Sequence, residues 1–134
     1  MWPAGNLRRD EAGVGAVEFA LTFPLFLLIV IGALELGASF LSSAGLRHGV
    51  NEAGRYATIY PTPTDDQIRA RMSKSAFGVM PSRIQATIQR GEDKKLGAYM
   101  VISARYEHQS LSSSAGFTGV TLTEIRKVWL QPDF

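Results

Sequence analysis

Residues Phe19–Leu34 read FALTFPLFLLIVIGAL, sixteen positions without a charge. From Phe19 to Leu46 the only ionisable side chain is Glu35. Counted on to Leu41 the stretch holds 23 positions. At about 1.5 Å of rise per residue that is roughly 34 Å of helix, enough to cross a hydrocarbon core of about 30 Å. The apolar side chains surround the helix instead of forming a stripe, which suits lipid better than a protein surface. The stretch therefore reads as one membrane span over about residues 19–41. A cleaved signal peptide would have a shorter apolar region and a small-x-small site after it. A buried helix of a soluble protein would need protein on every side, and about 75 residues remain to supply it.

Composition narrows the function. The chain has 134 residues, 14 basic and 12 acidic, and a formal charge of +2. No Lys/Arg block points to nucleic acid. There is no cysteine, which removes disulfides, thiolate nucleophiles and cysteine-ligated metals. Arg8 and Arg9 precede the span and Arg47 and Arg55 follow it, so the short N-terminal tail and the longer C-terminal part set the expected orientation: N-terminus in, C-terminus out. Glu18 at the start of the helix is favoured by the helix dipole. Glu35 is costlier, at about 2.5–3.5 kcal/mol if held at mid-bilayer. It is expected to snorkel, to be protonated or to find a partner when helices pack. Pro24, inside the span, removes a backbone donor and is a candidate bend.

The segment before the span carries a pattern. Residues 8–20 read RRDEAGVGAVEFA. A short charged leader ends in Gly13, Val14 then stands first, Glu18 fifth, and the aromatic Phe19 follows. This resembles the processing site of Flp-class prepilins, and more closely the TadE-like pseudopilins of the tight-adherence (Tad) pilus. Gly15–Pro24 (GAVEFALTFP) resembles their helix start, and Ser42–Tyr56 (SSAGLRHGVNEAGRY) their small-residue segment with a later arginine. Gly15 offers a second register that fits less well, and Asp10 and Glu11 crowd a leader that is usually basic. The resemblance implies a minor pseudopilin with a cytoplasmic leader at 1–13, a long helix at 14–58 and an exported domain at 59–134. It implies cleavage after Gly13 by a prepilin peptidase, with Gly13, Val14, Glu18 and Phe19 as the processing site and Glu18, Pro24 and Glu35 as assembly contacts. Pilus subunits, the inner-membrane assembly platform and the lipid bilayer are the implied partners. The implied location is the bacterial inner membrane, with the C-terminus periplasmic, and the extracellular pilus after assembly. A new amine at Val14 entering an apolar fibre needs a carboxylate such as Glu18, because an unpaired charge in low dielectric costs several kcal/mol. The alternative is an unprocessed single-pass anchor carrying an exported binding module.

Past the span the pattern is α+β. Gly32, Gly37 and Ala38, continued by Ala44, Gly45, Gly49, Ala53, Gly54 and Ala57, suggest close contacts of the helix, with a partner helix or with the chain's own sheet. Pro61 and Pro63 break it. Thr64 with Gln67 reads as a capping box for a second helix at 65–77, with Ile68, Met72 and Ala76 on one face. Residues 83–90 and 98–106 read as a hairpin about a polar turn at 91–97. Residues 120–130 read as a third strand whose uneven alternation suggests a bulge or slip near Glu124. The expected fold is a long N-terminal membrane helix followed by a small α+β unit of a second helix and about three antiparallel strands, pilin-like.

No catalytic constellation is visible. His48 and His108 are far apart, and His48 has Glu52 four residues on as an expected solvated partner. Ser112, Ser113 and Ser114 lie in a Ser/Gly-rich loop without a nucleophile motif. Asp65 and Asp66 suit a helix start, and no phosphate-binding glycine pattern occurs. The expectation is a structural protein without cofactor, metal, catalysis or small-molecule substrate.

Overall fold

The computed structural model describes residues 11–59, 61–110 and 119–130, with backbone alone at residues 11 and 12. Residues 1–10 of the expected leader and Ser112–Ser114 lie outside the described residues. The chain divides into two compact units, one up to Leu34 and one from Glu35.

Helix α1 spans Glu11–Ala57. Leucine and alanine, good helix formers, recur along it. It continues through Pro24. Two residues earlier, the Thr22 hydroxyl donates to the Glu18 carbonyl at 2.9 Å. The helix stops where the Thr58 hydroxyl donates to the Arg55 carbonyl at 2.8 Å and Pro61 follows. In the first unit its apolar side chains stay exposed, Phe19, Leu21 and Leu28 at 63%, 74% and 66%. None of its most apolar window is buried, and length and hydropathy mark it as the one membrane-span candidate among the described residues.

The second unit is the α+β body. Helix α2 (Asp65–Ser75) begins on the expected capping box: Thr64 Oγ1 accepts from Gln67 N, and Gln67 Oε1 accepts from Thr64 N. It ends at Ser75, earlier than position 77, because Ala76 turns extended and Gly78 takes a positive φ of 63°. A single 3-10 turn (Pro81–Arg83) leads into β1 (Ile84–Asp93), β2 (Gly97–His108) and β3 (Val120–Trp129). The sheet is antiparallel in the order β1-β2-β3.

The hairpin is tighter than expected. Pairing continues to Asp93 opposite Gly97, leaving a turn at Lys94–Leu96. Asp93 Oδ1 accepts from the Lys95 and Leu96 amides at 2.8 and 3.1 Å, and Gly97 adopts φ 84°, which glycine alone enters without strain. The bulge expected near Glu124 is absent, since the β2–β3 register runs unbroken from His108 opposite Val120 to Tyr99 opposite Trp129. The inward positions of β3 are Leu122, Glu124, Arg126 and Val128. Two of them are polar, which breaks the hydrophobic alternation without breaking the strand.

The core lies between the helices and one sheet face. Leu46, Val50, Ala53 and Ala57 of α1 meet Ile68 and Met72 of α2 over Met100, Ile102, Ala104 and Tyr106 of β2 and Val128 of β3. The α1 spacing of four, three and four residues is one helical face, and the β2 spacing of two is one sheet face.

Candidate functional site

The processing-site residues occupy the first turns of the described α1. Gly13 and Val14 have helical backbone, and Val14 and Glu18 stand four residues apart, one turn along the same face. Val14 is 61% exposed and Phe19 63%, with the Phe19 ring stacked on Phe23 at 5.1 Å. A side chain at Gly13 or Gly15 would meet nothing within 4 Å, so packing inside the chain does not require glycine at either. Pro24 lies on the same open length of helix.

Glu35 stands 17 residues further along the sequence than Glu18. It is half-buried and belongs to the second unit, where Ser110 Oγ donates to Glu35 Oε1 at 2.8 Å. Sequence could not pair it because the partner lies 75 residues away.

The glycines divide along α1. Gly32 and Gly37, at which close contacts were also expected, face open space within the chain. A methyl at Gly45 would run into the Phe77 carbonyl, one at Gly49 into the Met72 carbonyl and Ala76, and one at Gly54 into the Arg126 side chain and Val128. The contacts suggested by Gly45, Gly49 and Gly54 are therefore internal: two with α2 and the residues after it, one with β3.

A polar seam joins α1 to β3, and sequence reasoning missed it. Arg47 Nη2 lies 3.1 Å from Glu124 Oε1. Arg126 Nη1 donates to Asn51 Oδ1. The uneven β3 pattern was its signal. Glu52 pairs with Arg55 and Arg71, each at 3.5 Å, whereas His48 packs its ring against Phe77 at 5.8 Å. Ser42, 1% exposed, donates to the Gly78 carbonyl at 2.5 Å and lies 3.3 Å from His108 Nδ1. A hydroxyl has one proton. With that proton on Gly78, His108 Nδ1–H must be the donor to Ser42.

Among the described residues no cluster of three or more His, Asp or Glu side chains is placed to hold a metal ion. The arrangement is an unpacked apolar helix carrying a glycine-and-glutamate start, continuous with a helix built into a small sheet domain. Compared with known proteins, residues 13–55 match the family described as TadE-like protein. The match covers the processing-site residues, Pro24, Glu35 and the glycines of α1, and stops at Arg55. No curated protein and no solved structure matches the chain.

Proposed function

We propose that this chain, which matches the TadE-like family over residues 13–55, serves the Tad pilus system as a minor pseudopilin: a structural subunit for assembly of a Tad pilus, cleaved by a prepilin peptidase between Gly13 and Val14. The observation that carries this reading is the divided helix. From Gly45 onward α1 is closed against its own domain, while up to Leu34 its apolar side chains have no protein cover. A membrane-held subunit that later packs among other helices needs such a helix.

The residues support definite roles. Gly13 and Gly15 each weaken the helix by about 1 kcal/mol relative to alanine, which eases the local unwinding that a peptidase needs at the Gly13–Val14 bond. Glu18, one turn from the new Val14 amine, neutralises it in its own chain or a neighbour. Pro24 eases a bend. Glu35 is tied to Ser110, and Ser42 is buried against Gly78, which supports a span ending just ahead of Glu35. Residues 14–34 then provide 21 positions, about 31 Å of helix. The N-terminus is cytoplasmic and the C-terminal domain periplasmic. The reading assigns no catalytic residue, cofactor or metal.

Intact-mass measurement of the protein from native membranes tests the processing. A mass starting at Val14 is expected, and a chain retaining residues 1–13 would overturn it. The alternative, an unprocessed anchor with an exported binding module, draws on the helical backbone already present at Gly13. Cross-linking separates the two, because capture of pilus subunits or the assembly platform is expected of a pseudopilin alone.

A further inference from the structure

We infer that the exported domain carries a binding site for the phosphate headgroup of an anionic phospholipid, in a polar concavity lined by Ser82, Arg83, Gln85, Arg105, Glu107 and Gln109. The site is built on the outer face of the sheet. Gln85 and Arg105 are direct cross-strand partners, Glu107 and Gln109 continue the same face of the chain at alternate positions, and the Pro81–Arg83 turn closes one side.

The chemistry is cationic and has donors to spare. Arg105 Nη2 lies 3.5 Å from Glu107 Oε1, and both side chains are more than half exposed. Arg83 has no acidic partner among the described residues. Two guanidiniums face one carboxylate, leaving a net charge of +1. Ser82, Gln85 and Gln109 add polar side chains with no hydrogen-bond partner among the described residues. Guanidinium forks match phosphate oxygens in two-pronged geometry. A singly charged phosphodiester fits this balance, since one guanidinium is already matched by Glu107.

Position selects the source of the phosphate. Residues 100–108 of β2 take about 26 Å at strand rise, and the chain runs on to Ser110. It leads from Val128, which adjoins Gly54, past His108 at Ser42 to Ser110 at Glu35. On α1, residues 54 to 35 cover about 28 Å. The concavity therefore lies at the Glu35–Ser42 end of the domain, where α1 leaves the apolar run Phe19–Leu34. On the single-span reading proposed above, on which this inference rests, that end faces the lipid headgroups. Anionic lipid attracts nearby Lys or Arg by about 1 kcal/mol each, about fivefold in binding.

The full chain in nanodiscs of phosphatidylcholine, with and without about 30% phosphatidylglycerol, tests this by native mass spectrometry of retained lipid. Preferential retention of phosphatidylglycerol is expected, falling about fivefold for each of Arg83→Gln and Arg105→Gln. Lys94→Gln with Lys95→Gln, at the opposite end of the hairpin, should leave it unchanged. Equal retention in the arginine double variant, or equal loss in the lysine variant, would overturn the site. Displacement by millimolar inorganic phosphate would overturn the lipid source and leave a free-oxyanion site. Carbonate extraction is read separately: release of the unmodified chain from membranes would overturn the single-span reading itself.

Discussion

A methyl group at Gly45 has no room, and one at Gly37 has nothing to touch. Gly45→Ala is therefore expected to destabilise the domain by about 1–3 kcal/mol through overpacking. Gly37→Ala should be neutral or slightly stabilising through helix propensity. Denaturant unfolding of both variants in one detergent measures the difference, and equal effects would contradict the divided helix. Glu18→Ala should insert normally but abolish piliation, read by membrane fractionation and electron microscopy; normal pili would count against the assembly role. At Asp93 the sign of the pH effect follows from its contacts. The amides of Lys95, then of Leu96, hold the carboxyl below the ordinary aspartate value; slight desolvation opposes this and Lys127 adds a smaller attraction. A lowered folded pKa means that the stabilisation is complete above the unfolded value and is lost as pH falls through the folded one. The protection of the Lys95 and Leu96 amides against exchange, taken relative to an unstructured chain at the same pH, is thus expected to fall below about pH 4, and Asp93→Asn should flatten that dependence.

Among the elements, α1 and β3 are joined by polar side chains where apolar ones would be usual. Arg47–Glu124 is largely exposed on the arginine side, and such pairs contribute at most about 1 kcal/mol. Asn51–Arg126 is part-buried and should matter more. A double-mutant cycle with Asn51→Ala and Arg126→Ala is expected to give about 1–2 kcal/mol of coupling, and additivity would show that the seam only fills space. Such a seam also fixes register, because sliding β3 by one residue would turn Glu124 and Arg126 outward and Ile125 inward. The α2 cap is a local device, and Thr64→Ala should cost about 1 kcal/mol.

At the scale of the molecule, the placement of the span is open to direct measurement, since the chain has no cysteine of its own. Phe40 is 72% exposed and Leu28 66%, so exposure in the free chain does not distinguish them, whereas a bilayer would. A membrane-impermeant maleimide applied to spheroplasts should label Phe40→Cys and leave Leu28→Cys unlabelled. Labelling at both positions would remove the span, and labelling at neither would reverse the orientation or extend the span.

The sequence by itself determined the features that depend on near neighbours along the chain. The apolar run Phe19–Leu34, the Thr64–Gln67 capping box, the strand alternation at Ile84, Ala86 and Ile88, and the Gly13–Glu18–Phe19 start are all of this kind, because helix and strand periods and caps act over a few residues. Only the tertiary structure decided what those elements close upon. Glu35 meets Ser110, Gly45 meets Phe77, and Glu124 and Arg126 meet Arg47 and Asn51 across 75 residues or more for the polar pairs. Such contacts are set by which faces the fold stacks together, and a polar residue turned inward toward a distant partner looks, along the chain, like a fault in a strand. The physical reason is one of range: propensity and periodicity are local, whereas burial and charge pairing depend on what the chain brings back from far away.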